Sequence, residues 1–375
     1  MKLEQYIYKD KGWSSRIDNS LDSKDTLILI FASPNISYIK KPLNELINLF
    51  PNSKFMGCST SGEIFNKRLS IDRFVVQVIQ FEKSILKISS LKIEDSSNSK
   101  KLGQELALSL NKSKLKSVFI LSDGLNINGS KLARGISSVF LGDVIVTGGL
   151  AGDDEQFKET WVLVDKKPCS KYITAIGFYS NHLYVGYSSK GGWDTLGVKR
   201  KVTSSFENIL YELDFQPALE LYKKYLGERA KGLPSTGLLF PLGVYIGSEI
   251  KVRTILAIDE EKQSITFAGD IPEGSVVTLM KSNFQKLIEG ASNSIQSIKF
   301  KDEKINQFCC IAISCVGRKL VLGQRVEEEI EAVFDMLPKN SMQIGYYSYG
   351  EISPLKSGKC GLYNQTMTIT LIGEY

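Results

Sequence analysis

The chain has 375 residues, 42% hydrophobic and 23% charged, which supplies a sizeable core and excludes a globally disordered chain. Its 47 Lys and Arg against 41 Asp and Glu leave a net charge of +6, mild at this length and without the clustered basic face that nucleic acid requires. Met1 to Gln5 contain no apolar signal segment, no apolar run approaches a membrane span, and the six cysteines lack a framework spacing, so a cytoplasmic protein with free thiols is expected.

In chain order, strand and helix patterns alternate. Residues 26–31 predict a buried strand, 42–50 a helix opening at Pro42, and 54–57 a second strand. Residues 74–81 and 85–91 predict a strand pair. Leu102, Leu106 and Leu110 mark a helix, 118–121 a short buried strand, Leu132, Ile136, Val139 and Phe140 another helix, and 144–147 a strand. Strands follow at 160–164, 172–178 and 183–187, and helices at 206–213 and 218–226, the latter with Pro217 at its first turn. Residues 265–268 and 275–279 predict strands, 284–295 a helix, 308–313 a strand, 326–337 a helix, and 342–346 and 366–372 strands.

The windows 71–178 and 264–372 share one order: strand, strand, helix, strand, helix, strand and further strands. That order predicts an α/β fold of two intimately packed halves, a duplicated layered sandwich with mixed sheets packed together and helices outside. The alternative is the general likeness of alternating α/β chains.

The segments richest in small, hydroxyl and charged residues follow predicted strands, where open α/β sheets place their ligands. Gly57-Cys58-Ser59-Thr60-Ser61-Gly62-Glu63 suits backbone N–H contact with an anionic or carbonyl ligand, or a tight turn. It has no P-loop ending, and its spacing is one residue longer than a nucleophile elbow. Asp123, in Ser122-Asp123-Gly124, stands at a strand end as a ligand contact or an Asx turn. Gly148-Gly149-Leu150-Ala151-Gly152-Asp153-Asp154 implies close backbone approach, but its paired carboxylates have no further acidic ligand at a recognised spacing, so no metal is expected. Cys315-Val316-Gly317-Arg318 places an arginine that can grip a carboxylate or pair with a nearby acid. Tyr346-Tyr347-Ser348-Tyr349-Gly350-Glu351-Ile352 suits a pocket wall, and Asn364-Gln365-Thr366 is a formal sequon. His182, the single histidine, falls in a predicted turn.

In this order these segments resemble the FIST family, built from a FIST N-terminal and a FIST C-terminal domain. The resemblance implies an N-terminal extension over 1–25, the first domain over 26–213 and the second over 214–375. It further implies a sensory module for small molecules such as amino acids. Some members are reported to bind haem and sense nitric oxide. Where relatives often show His-Gly-Trp this chain has Gly191-Gly192-Trp193, which disfavours haem, and no cofactor is expected. No kinase, cyclase or chemoreceptor domain is appended, so the signal is expected to pass to a separate signalling protein.

The reading that follows is a non-catalytic sensor of a small polar, amino-acid-like metabolite. Asp123, Asp153 and Glu351 would meet an ammonium. Arg318 and the loops bearing Cys58, Ser59, Thr60, Ser61, Gly62, Gly148 and Gly149 would meet a carboxylate, with Tyr347, Tyr349 and Asn364 completing the ligand-binding set. The rival readings are an enzyme using Cys58, Ser59 or Thr60 as nucleophile, for which no local base is visible, a haem or nitric-oxide sensor, and a scaffold without a ligand.

Overall fold

In the computed structural model, which describes residues 1–247, 249–298, 305 and 307–375, one α/β pattern recurs three times. The first copy comprises β1 (Lys2–Lys9), the two-residue β2 (Gly12–Trp13), β3 (Thr26–Ala32), α1 (Ile36–Leu49), β4 (Lys54–Ser59), the hairpin β5 (Glu63–Phe65) and β6 (Arg68–Ser70), and β7 (Phe74–Gln80). The second comprises β8 (Ile85–Lys92), α2 (Ser99–Leu110), β9 (Leu115–Ser122), α3 (Gly129–Phe140), β10 (Ile145–Leu150), the hairpin β11 (Val162–Val164) and β12 (Lys167–Cys169), and β13 (Tyr172–Tyr179).

The third copy opens with β14 (Leu183–Lys190) and is interrupted by an insert. The insert holds β15 (Asp194–Phe206), β16 (Ile209–Leu213), β17 (Gln216–Pro217), α4 (Ala218–Leu226), β18 (Leu242–Ile246), β19 (Glu249–Arg253), β20 (Ile255–Asp259), β21 (Ser264–Phe267) and β22 (Val276–Lys281). The copy resumes with α5 (Phe284–Gln296), β23 (Cys309–Cys315), α6 (Val316–Leu322), α7 (Val326–Phe334), β24 (Met342–Ser348), the hairpin β25 (Gly350–Pro354) and β26 (Cys360–Tyr363), and β27 (Met367–Glu374).

Each copy builds a sheet in the same order, β4-β3-β7-β1, β10-β9-β13-β8 and β24-β23-β27-β14. In each, the first pair is parallel and the others antiparallel. The hairpin of each copy crosses to another copy's sheet: β5 pairs with β24, β25 with β10, and β11 with β4. The exchange closes a ring, so each sheet is completed by a neighbouring copy.

The inner faces of the three sheets meet in one core around Phe31, Met56, Phe119, Ile176, Ile311 and Tyr346. Helices cover the outer faces: α1 through Leu43 and Leu46, α2 and α3 through Leu106 and Ile136, α5 and α7 through Leu287 and Ile330. Strands β3 and β23 are buried at every residue, which is why they read as unbroken apolar runs. The insert forms an eight-stranded sheet with its own core, including Leu210, Leu219, Tyr222 and Phe267.

The α/β fold of packed mixed sheets with outer helices is present, and its repeat is threefold. The first copy includes β1, so residues 1–25 carry a strand of the first sheet. The counterpart of β8 is β14; the strands predicted near 265 and 275 belong to the insert. Residues 206–213 are strand, because Glu207 and Asn208 form a turn, with Glu207 at a positive φ, between β15 and β16. Helix α1 starts at Ile36, where the Asn35 side chain accepts the Ser37 N–H, so the cap rather than Pro42 sets its start.

The three copies share one packing constraint. Gly57, Gly148 and Gly345 lie opposite Ile30, Ile120 and Ala312 in the three parallel pairs, and a Cβ on any of them would collide with that partner's carbonyl oxygen. Gly345→Ala should cost about 1–3 kcal/mol through overpacking. Urea denaturation against the unsubstituted chain measures it.

Candidate functional site

Strands β4, β10 and β24 end beside one another, and their loops are joined by a closed cycle of backbone hydrogen bonds. The Gly152 N–H donates to the Ser59 carbonyl at 3.1 Å, the Ser61 N–H to Tyr347 at 2.8 Å, and the Tyr349 N–H to Leu150 at 3.4 Å. Each loop then carries a buried carboxyl group: Glu63, Asp153 and Glu351.

These carboxyls face inward and hold the loops. Glu63 accepts from the Thr60 hydroxyl at 2.6 Å and the Arg73 N–H at 3.1 Å. Asp153 accepts three backbone N–H groups, of Phe157, Lys158 and Glu159, and the Tyr349 hydroxyl. Glu351 accepts from Ser348 at 2.7 Å and from the Thr366 hydroxyl and N–H at 2.7 and 3.2 Å. Burial pushes both Glu63 and Glu351 up to about 8, opposed by their hydrogen bonds.

Most residues expected to touch ligand therefore serve the scaffold. Arg318 is fully buried in an ion pair with Glu329 at 2.6 Å and donates to the carbonyls of Gly191 and Leu287, so it cannot face a ligand carboxylate. Tyr347 and Ser314 donate to the same glutamate at 2.6 and 3.0 Å. Asp123 accepts the N–H groups of Leu125, Asn126 and Lys171, an Asx-type role.

The Gly57–Glu63 loop has its polar groups satisfied internally. Ser59 and Ser61 accept the N–H groups of Trp161 and Asp154, and the Gly62 N–H donates to Thr60. Cys58 is completely buried, and burial pushes its thiol well above the ordinary range. Gly148 and Gly149 are buried within β10. Asn364 is buried, with its oxygen 3.4 Å from Arg253. Asp153 is fully engaged by its four donors, and among the described residues no group of three His, Cys, Asp or Glu side chains is arranged to hold a metal ion. His182 is exposed between β13 and β14, and all six cysteines are free thiols.

Of the expected set, Asp153 borders an open groove with Ser33 and Arg73, and a more enclosed space is reached by Tyr349. It lines two adjoining cavities, of about 320 and 90 Å³, between the insert and the strand-end loops. The cavities share Phe157, Leu256, Ala268 and Tyr349, and the Phe157 and Tyr349 rings stack at 4.7 Å and 15°. The larger chamber lies at the carboxyl end of β9 and adds Asn128, Glu207 and Asn208. The smaller lies at the end of β23 and adds Asp154, Thr254 and Cys315. Thr254 is 4% exposed and its hydroxyl has no partner among the described residues. The cleft thus draws on both halves of the chain. Of the residues that sequence reasoning missed, Leu256 sits on β20 of the insert, Ala268 just past β21 and Phe157 on an exposed loop; the turn at Glu207-Asn208 is the available signal.

The family description FIST N domain matches residues 26–216 and FIST C domain matches 218–354, together most of the chain. The chain belongs to the FIST family. FIST domains are sensory domains that bind small ligands. An uncharacterized protein of Methanocaldococcus jannaschii is 25% identical over 236 residues, which span 55% of this chain and 44% of that one. This FIST chain therefore matches less than half the length of that relative. Among solved structures, PurLQS from Thermotoga maritima aligns over 78% of this chain and 72% of that chain, at 7% identity and a TM-score of 0.20, too weak a likeness to bear on the fold.

In this FIST protein the Gly191-Gly192-Trp193 segment is a packing junction. Gly191 gives its carbonyl to Arg318, Gly192 has φ +85 against the Lys286 carbonyl, and Trp193 donates to the Gln365 carbonyl at 3.0 Å. No helix among the described residues is long and apolar enough to cross a membrane.

Two outcomes follow from the inward charges. Arg318→Ala strands Glu329 in the core and should cost about 3–5 kcal/mol of stability, measured by urea denaturation. Glu63 and Glu351 bind their protons more tightly folded than unfolded. Their contribution is complete below pH 4.5, the ordinary value, and is lost as pH rises through about 8. Unfolding midpoints should fall across that window, and Glu63→Gln with Glu351→Gln should flatten the decline.

Proposed function

We propose that this chain is the ligand-binding part of a cytoplasmic sensor. A small polar metabolite of amino-acid size occupies the two-chambered cleft, and a separate signalling protein reads the resulting change. The observation that carries this reading is the pair of adjoining cavities at the carboxyl ends of β9 and β23, roofed by the insert and joined at Tyr349. The larger chamber has Glu207 at its wall, paired with Lys131 at 2.6 Å, and the smaller has Glu155 and Asp154, the latter paired with Lys319 at 2.8 Å. Such pairs set both signs of charge beside the cleft for a zwitterion, the part the sequence suggests for Arg318 and Glu351. The stacked rings and Leu256 supply the apolar wall, and Thr254 an open hydroxyl.

Ligand binding closes the insert on the strand-end loops, because those are the two surfaces the ligand would touch together. The coupling is thermodynamic: a ligand that prefers the closed arrangement shifts the population toward it.

The test is a thermal-shift and calorimetric screen of amino acids and related amines on the full chain. At about 100 times its Kd a true ligand stabilises by roughly 2.7 kcal/mol. Leu256→Trp, at an exposed position bordering both chambers, should weaken binding at least tenfold while unfolding stays cooperative. A ligand whose affinity ignores Leu256→Trp would place the sensory site elsewhere, and a screen without any saturable stabiliser would count against the amino-acid class.

A further inference from the structure

A separate cavity of about 210 Å³ lies where β19 of the insert meets α3 and β26. Its wall carries three cations, Arg134, Lys251 and Arg253, and one carboxylate, Asp270. Asp270 is engaged already, with Arg134 at 2.7 Å and the Asn128 amide at 3.2 Å.

The other two cations form no ion pair among the described residues, and the nearby carboxylates, Asp270 for Arg253 and Glu249 for Lys251, act on them only at longer range. Arg253 is 2% exposed and donates to neutral oxygens, those of Asp270, Val252 and Leu362 on the backbone and of the Asn364 side chain. Lys251 is 9% exposed, and its Nζ makes no hydrogen bond or ion pair among the described residues. The ammonium lies 5.8 Å from the Tyr363 ring, and a Cβ at Gly361 would stand 3.1 Å from it. Glu249, two residues along β19, accepts the Lys356 N–H at 3.0 Å and does not line the cavity. Burial together with the Arg253 charge lowers Lys251 to about 8.

A buried cation without an ion-pair partner is costly, and a chain that places two of them on one cavity wall leaves a place for an anion. Arginine and lysine together suit an oxyanion, the arginine as a planar fork and the lysine as a point charge. We propose that this cavity binds a small oxyanion, phosphate or carboxylate, between Lys251, Arg253 and Arg134. The anion ties the insert to the second copy, because its ligands come from β19 on one side and α3 on the other.

The experiment titrates the full chain with sodium phosphate, sodium acetate and sodium chloride at constant ionic strength, reading Tm and, for phosphate, the ³¹P line width. A saturable rise in Tm with phosphate or acetate beyond chloride supports the site, and which salt produces it assigns the anion class. Lys251→Met should weaken that anion at least tenfold and, in chloride alone, should match or exceed the unsubstituted chain in Tm because a buried charge has been removed. Arg134→Gln, at a side chain 55% exposed, is the second variant should Lys251→Met not fold, and it should weaken the anion as well. Absence of any oxyanion effect beyond chloride, or unchanged affinity in the variant that folds, overturns the proposal.

Discussion

The exchange of hairpins among the three copies is the constraint on which the rest of the molecule depends. A sheet edge exposes unpaired N–H and C=O groups, and here each copy covers another's edge with its own hairpin. The exchange runs in a ring, so the strand ends of β4, β10 and β24 are drawn to one place. Their loops can then close a backbone hydrogen-bond cycle, and three glycines keep each parallel pair at contact distance.

The same convergence explains why so many charged residues turned out to be internal. Loops forced together at strand ends have N–H groups that must be satisfied away from water. Asp123, Asp153, Glu63 and Glu351 do this, each accepting from backbone or hydroxyl donors. Arg318 does the converse, donating to carbonyls of α5 and the 191 loop while Glu329 balances its charge. Residue types that suit ligand recognition are also those that suit the closing of a buried loop, and only contact geometry separates the two uses.

The insert decides where open space remains. It lies across the strand ends of the second and third copies and leaves a further, open groove at the end of β3, lined by Ser33, Tyr38, Asp72 and Arg73. Three equivalent crevices are therefore made unequal by one covering element. The two that are covered become the enclosed cleft, and the insert's far side meets α3 across the cationic cavity.

The sequence by itself determined the alternation of strands and helices, the family, and the loops that would gather at strand ends, because apolar periodicity and Gly-rich turns are local properties. It also holds a threefold signature that the strand equivalence brings out: Gly57 to Gly62-Glu63, Gly148 to Gly152-Asp153 and Gly345 to Gly350-Glu351 are one motif, a glycine followed four or five residues later by glycine and acid. From sequence alone two of its copies read as loops and the third as a pocket wall, since a repeat this diverged is visible only once the equivalent strands are known. What tertiary structure alone decided is which side of each loop faces water. Tyr349 opens on the cleft whereas Tyr347, two residues earlier in the same run, is locked to Glu329. Lys251 faces a cavity with no ion-pair partner among the described residues because β19 carries it against the third copy's β25–β26 hairpin, a juxtaposition of residues over a hundred positions apart that no local pattern encodes.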